Sequence, residues 1–274
     1  MTPRLAGRAG ALTLIAATTL ALAGCGGVGG KLTYNDTEKT KVTDIVLDGN
    51  RGDVIVRTAP ISETRITRVI RNGTDPKESY RLDKTTLYLD TSCGPACSVS
   101  YEIEAPAGVA VRGGMTSGSV DLTNVGVTDL EVTSGDIKVH GATGAVKVKA
   151  TSGDITVEDA KAGATLQATS GDVHAISVSG GPVSAKVGSG DVTVQLSAVA
   201  SVTAQAGSGD VHLIVPMGSY QVRTHKGSGD LTLDGITNDA SAKNILDLRV
   251  GSGDLTVTRS EAGLVTETPP ARNR

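Results

Sequence analysis

A Ser-Gly-Asp tripeptide, Ser-Gly-Ser in its first copy, begins at Ser117, Ser134, Ser152, Ser170, Ser189, Ser208, Ser228 and Ser252. Seven copies supply a carboxylate: Asp136, Asp154, Asp172, Asp191, Asp210, Asp230 and Asp254. With one copy per coil of a stacked β structure, these groups would stand about 4.8 Å apart. Like charges at that spacing repel by about 0.9 kcal/mol in water and about 3.5 kcal/mol at an effective dielectric of 20. Such a column must be wet, hydrogen-bonded to turn amides, or bridged by cations. Calcium suits carboxylate oxygens, but calcium-binding β-rolls carry a Gly-Gly-x-Gly-x-Asp turn on both sides of the coil. Here Asp recurs on one side only. The residues therefore predict exposed, turn-capping carboxylates with no bound metal or cofactor, and a calcium ladder is the sharper alternative.

Other reactive residues are sparse. His174 and His212 occupy equivalent repeat positions two copies apart, with Thr193 between them. That separation, roughly 9.6 Å by strand spacing, is too long for two imidazoles to share a metal. A glycan-cleaving site needs a non-repeating cluster of acids and bases, whereas the acids here are periodic. No phosphate loop, zinc-ligand spacing or nucleophile elbow is present. No enzymatic activity is expected. Arg51-Gly52-Asp53 could be read as an adhesion tripeptide, but it falls where an early, degenerate repeat turn is due.

The cysteines indicate an exported chain. Arg4 and Arg8 precede an apolar run over residues 9–22, too short for a membrane-spanning helix. The run closes on Leu22-Ala23-Gly24-Cys25, which resembles a bacterial lipobox. That resemblance implies cleavage after residue 24, a diacylglyceryl group on Cys25, and anchorage at the extracytoplasmic face of the cell membrane. An ordinary signal peptide is the alternative. Loss of Arg4 and Arg8 takes the formal charge from -3 to -5, and no basic excess points to nucleic acid. Cys93 and Cys97 are left as an even pair around Gly-Pro-Ala. In an exported chain they predict a structural disulfide, because redox motifs of the Cys-x-x-Cys type have one residue fewer.

The elements that position these residues follow from the repeat. Successive copies are 17, 18, 18, 19, 19, 20 and 24 residues apart, the drift expected of coils with loop insertions. Each unit reads as turn, short alternating strand, loop, second alternating strand. The chain has 38% hydrophobic residues and no Phe or Trp, which suits narrow coils filled by Val, Ile, Leu and Ala. The fold class is therefore all-β: a β-solenoid, parallel β-helix-like, of about eight coils with an N-terminal antiparallel β cap. The expected divisions are a signal peptide (1–24), a flexible tether (25–40), the β region and cap (41–115), the repeat solenoid (116–258) and a disordered tail (259–274).

Period-two alternation points Val173, Val192, Val211, Leu231 and Leu255 inward and the residues beside them outward. The other strand projects Glu131, Lys149, Gln167, Lys186, Gln205 and Arg249 as a column that leans basic and amide-rich. That column is a candidate contact for an anionic surface polymer, or simply a solvated face. A loop around Thr237-Asn238-Asp239 forms a lip, and Leu255-Thr-Val-Thr258 is expected to be an open edge capable of edge-to-edge self-association.

The Pro106-x-Gly108 turn after a strand, followed by serial Ser-Gly-Asp and an aliphatic-x-aliphatic strand, resembles the bacterial putative-adhesin family of β-strand-repeat proteins, over roughly residues 42–258. The resemblance implies an exported or membrane-attached β protein, and no binding residue is carried over from it. Two functions are expected from different classes. One is a surface scaffold for adhesion or contact with an unknown envelope polymer or protein. The other is a sensory accessory that docks on a membrane partner in envelope stress.

Overall fold

The computed structural model describes residues 30–73, 79–94 and 96–260. The signal segment, Cys25, the Asp75-Pro76 turn and residues 261–274 lie outside these.

Among the described residues, alternating strands separated by Ser-Gly-Asp corners build two facing sheets, of twelve and eleven strands. Each coil contributes one strand to each sheet. In the middle of the stack, Thr128–Ser134, Val146–Ser152, Ala164–Ser170, Val183–Ser189 and Val202–Ser208 pair in parallel in one sheet. The strands Ile137–His140, Ile155–Glu158, Val173–Val178, Val192–Leu196 and Val211–Val215 pair in parallel in the other. The register superposes each corner serine on the next.

The inward positions make a continuous aliphatic core. Leu130, Val148, Leu166, Ala185, Ala204 and Leu248 form one buried row, and Ile137, Ile155, Val173, Val192, Val211 and Leu255 face them. Each fully buried aliphatic side chain contributes about 1.5–3 kcal/mol of transfer free energy.

The corner glycine is compulsory. From Gly118 to Gly253 the eight corner glycines have φ between +116° and +137°. An added Cβ would sit 2.0–2.3 Å from the carbonyl oxygen of the stacked glycine in the neighbouring coil. Both the dihedral and the close approach exclude any side chain.

The cap forms as expected, with two differences in extent. Thr64–Arg71 pairs antiparallel with Ser98–Pro106, and Tyr80–Asp83 pairs antiparallel with Thr86–Asp90. Beneath them, however, Ser98–Pro106 and Thr86–Asp90 stack in parallel on Val54–Ala59 and Asp44–Arg51. Arg51-Gly52-Asp53 is thus a true corner, in register with Ser117. The stack therefore starts well inside the segment assigned to the cap.

The second difference concerns the tether. Lys31–Glu38, inside the expected flexible segment, is a strand antiparallel to Thr64–Arg71. Its half-buried residues are Tyr34, Asp36 and Glu38, so it lacks an apolar pattern. It is held by backbone pairing and by polar contacts to Arg68.

The C-terminal end departs most from sequence order. The copy beginning at Ser252 does not lie outermost. Asn244–Ser252 pairs with Val202–Ser208 on one side and Tyr220–Ser228 on the other. Leu255–Arg259 likewise lies between Val211–Val215 and Leu231–Asp234. The expected open edge at residues 255–258 is therefore an interior strand, and Arg259 belongs to it rather than to the tail.

The physical reason is the quality of the inward residues. Asn244–Arg259 offers Leu246, Leu248, Val250, Leu255 and Val257, all buried. At the matching positions Tyr220–Ser228 offers Val222, Thr224 and Lys226. An ammonium buried in the stack would cost several kcal/mol, so the coil carrying Lys226 is tolerated only at the end.

Candidate functional site

Three surfaces collect the residues singled out by the sequence: the aspartate corner, the outward strand faces, and the C-terminal lip.

The aspartates form the expected column, but they do not cap their own turns. Asp136 Oδ1 accepts the main-chain N–H of Asp154 at 3.0 Å, and Asp154 Oδ1 that of Asp172 at 2.8 Å. The relay continues from Asp172 to Asp191 (2.8 Å) and from Asp191 to Asp210 (2.7 Å). It then follows spatial order, from Asp210 to Asp254 (2.7 Å) and from Asp254 to Asp230 (2.8 Å). Each carboxylate up to Asp254 thus serves the next coil, and Asp230 ends the relay. The corner amides on either side already pair between coils: Gly153 N–H with Ser170 O, and Ile155 N–H with Asp172 O. The Asp N–H is the one left over, and the carboxylate below supplies its acceptor. These hydrogen bonds offset the repulsion along the column. Asp172 is half-buried and the others are exposed.

The relay lapses where Ser119 replaces Asp. Asp53 Oδ1 accepts from Ser119 N–H at 3.0 Å, and a hollow of about 290 Å³ opens among Asp53, Ser119, Asp121, Asp136 and Lys138. Among the described residues, no group of three or more His, Cys, Asp or Glu is placed to hold a metal ion.

At the N-terminal end a disulfide joins Cys93 and Cys97, with Cα atoms 5.3 Å apart. It lies between Thr86–Asp90 and Ser98–Pro106, at the corner where later coils carry Ser-Gly-Asp. The bridge closes that turn covalently, as a structural staple. Beside it lies a polar cluster that pattern reading did not find. Arg68 Nε pairs with Asp36 at 3.1 Å, and Arg68 Nη1 donates to Ser79 Oγ at 2.9 Å. Its guanidinium lies 5.1 Å from the Tyr34 ring centroid and 5.3 Å from that of Tyr80. Tyr101 donates to the carbonyls of Ser79 and Asp90. Burial pushes the Tyr101 phenol up to about 12. Burial, reinforced by Asp36 and Glu38, also raises that of Tyr80. The only sequence signal was the gathering of Tyr34, Tyr80, Tyr88 and Tyr101 ahead of the coils.

On the outward faces, Glu131, Lys149, Gln167, Lys186, Gln205 and Arg249 stand in register, one per coil, and all are exposed. At the start of that column Gly113 and Gly114 take the place of side chains. Gly113 lines a hollow of about 300 Å³ bounded by Arg112, Asp129, Glu131, Lys147 and Lys149. Lys147 pairs with Asp129 at 3.1 Å. On the opposite sheet, Thr193 separates His174 from His212 as spacing predicts. His140 Nδ1 instead lies 3.4 Å from Glu158 and 3.7 Å from Asp159. His140 and Glu158 each follow their corner serine by six residues, so the repeat register could have revealed that pair.

The lip encloses about 320 Å³ between Pro216, Met217, Ser219, Ile236, Asp239 and Arg259. Asp239 accepts from the hydroxyls of Ser219 and Ser241 and from the Ser241 N–H. Those hydrogen bonds pull its carboxyl down to about 2. Met217 is 73% exposed beside it.

Comparisons with known proteins agree with this architecture. The family model described as Toastrack DUF4097 matches residues 28–176 and 144–258. A solved structure of a putative adhesin from Bacteroides fragilis is similar over 83% of this chain and 97% of its own, with 15% identity and a TM-score of 0.51. A putative cell adhesion protein from Clostridium sporogenes aligns over 83% of this chain and all of its own, with 11% identity and a TM-score of 0.27. No curated protein matches the chain. The first likeness bears on the fold alone.

Proposed function

The chain belongs to the Toastrack DUF4097 family, and from that premise we propose that it is a non-enzymatic surface module, lipid-anchored through Cys25 on the extracytoplasmic face of the cell membrane. Its work is adhesion-like: the rigid solenoid presents a periodic face to an anionic envelope polymer or a surface protein. The observation that carries this reading is the exposed column from Glu131 to Arg249. Five of its six residues are cations or amides, repeated at strand spacing beside the glycine hollow. A polymer with regularly spaced anions meets such a column as a ladder of weak contacts, and many weak contacts on one rigid template bind far more tightly than any one alone. The name of the Bacteroides fragilis neighbour, a putative adhesin, points the same way.

The test is retention of the mature protein on an immobilised glycerol-phosphate polymer across a salt gradient. K149E/K186E should elute at lower salt than wild type, and Thr156→Glu on the opposite sheet should not. Equal elution of all three would refute the reading. Anchorage is tested separately: C25A should lose palmitate labelling in cells and leave the membrane fraction.

A second reading, a docking accessory for a membrane partner in envelope stress, is favoured by the lip. Exposed Met217 beside Ile236, with Asp239 and Arg259 at the rim, offers an apolar anchor and two charges to a protein segment. Crosslinking from position 237 of the lip to a membrane protein, lost in M217D but kept in K149E/K186E, would select it.

A further inference from the structure

The edge strand Lys31–Glu38 crosses the N-terminal end of the stack from the corner side to the loop side. On the corner side, Lys31 lies opposite Arg71, and Arg71 opposite Ser98, next to the Cys93–Cys97 bridge. On the loop side, the chain passes through Lys39 and Lys41 to Thr43. The Thr43 N–H donates to Thr85 O at 2.9 Å, and its hydroxyl donates to that of Thr85 at 3.0 Å. That contact brings Lys84 alongside. Lys84 is the tip of the hairpin between Tyr80–Asp83 and Thr86–Asp90 and holds a φ of 55°, a conformation that Gly or Asn adopts more readily.

Lys31, Lys39, Lys41, Arg71 and Lys84 are all exposed, and none forms an ion pair or side-chain hydrogen bond with a described residue. The acids of the two edge strands are engaged instead. Asp36 pairs with Arg68, Glu38 accepts from Tyr80, and Asp83 pairs with Arg81. Asp44, beside Thr43, contacts Arg112. Residues 74–78, outside the described residues, add two acids and one lysine. This end therefore keeps an excess of positive charge on a chain whose formal net charge is -3.

We propose that this end docks on the anionic phospholipid headgroups of the membrane that holds Cys25, a placement that rests on the acylation proposed above. Six peptide steps separate Cys25 from Lys31, a reach of roughly 20 Å at most. The acyl chains thus keep the corner side of this end near the bilayer, whatever course the intervening residues take. Lys39, Lys41 and Lys84 stand at the far end of the same strand, about 24 Å away. Each lysine close to an anionic surface strengthens binding about fivefold, within a Debye length of about 10 Å. A lipid anchor and a basic patch are the two signals that stable membrane attachment takes. Placed at opposite ends of one edge strand, they stand the solenoid upright. Its twelve-stranded sheet then rises about 50 Å from the bilayer, and the column from Glu131 to Arg249 runs outward, clear of the lipid.

The experiment couples the mature chain, residues 25–274, through the Cys25 thiol to a maleimide-bearing lipid in vesicles, then measures acetylation of each lysine by mass spectrometry. On vesicles of about 30% phosphatidylglycerol in phosphatidylcholine, Lys39, Lys41 and Lys84 should react about fivefold more slowly than on phosphatidylcholine alone. Lys149 and Lys226 should react equally on both. In K39Q/K41Q the slowing at Lys84 should fall below about twofold. Four results overturn the proposal: equal rates at the three lysines on both vesicles, equal slowing at Lys149 and Lys226, undiminished slowing at Lys84 in K39Q/K41Q, or the same slowing by soluble glycerol phosphate without vesicles. Because the coupling is chemical, none of these depends on whether cells acylate Cys25, which palmitate labelling tests by itself.

Discussion

The main-chain N–H of Asp254 donates to the carboxylate of Asp210 at 2.7 Å, although 44 residues separate them. No copy of the repeat is skipped more widely in the relay. The contact exists because the last coil is inserted beneath the one that precedes it in sequence.

The relay makes the aspartates acceptors first and charges second. D172N/D191N keeps an amide oxygen for each neighbouring N–H, so its stability should lie within about 0.5 kcal/mol of wild type. D172A/D191A strands two amides and should lose about 1 kcal/mol per site. Urea denaturation of both double variants checks this, and equal losses would make the charge itself the important property.

One oxygen of each carboxylate from Asp136 to Asp254 along the relay is committed to an amide, which disfavours a calcium ladder. The melting temperature of the mature protein should therefore be the same in EDTA and in millimolar calcium. A large calcium-dependent rise would instead make the column an ion site.

At Gly190, φ is +130° and an added Cβ would lie 2.3 Å from Gly171 O. Gly190→Ala should destabilise the protein by about 3 kcal/mol or more. S189A, one residue away and exposed, should cost far less. Thermal melts of the two variants make the comparison.

Arg68 ties together Asp36, Ser79 and two tyrosine rings within the cap. R68A leaves Asp36 without its cation in a site only 23% exposed and should cost about 3 kcal/mol. The buried tyrosines add an alkaline limit. An unfolded tyrosine ionises near its ordinary value of 10.0, whereas folded Tyr101 holds its proton to about 12. The unfolded chain thus releases protons first. Stability should be complete below pH 10 and fall as pH rises toward 12, and Y101F should remove part of that fall. Melts across pH 8–12 measure it.

The Cys93–Cys97 loop is short, with a sequence separation of 4. Chain-entropy arguments assign a loop of that size about 2 kcal/mol. C93S/C97S should therefore lose no more than that in urea denaturation and keep its β circular dichroism.

Much of this molecule is local and so could be read from the chain. Ser-Gly-Asp demands a corner, because only glycine accepts the dihedral there. Val, Ile, Leu and Ala at alternate positions demand a two-faced strand, and Cys93 and Cys97 are too close in sequence to miss one another. The outward register from Glu131 to Arg249 follows from the same period. Stacking order is different, because every copy carries the same local code and any coil could pair with any other. Tertiary structure settled it by the cost of burying Lys226 against the gain of burying Leu248 and Val250. For the same reason only the structure reveals that the aspartates serve neighbouring coils, and that Lys31–Glu38 is a strand. Its partners Arg68 and Tyr80 are distant in sequence, and its polar side chains carry no period of their own.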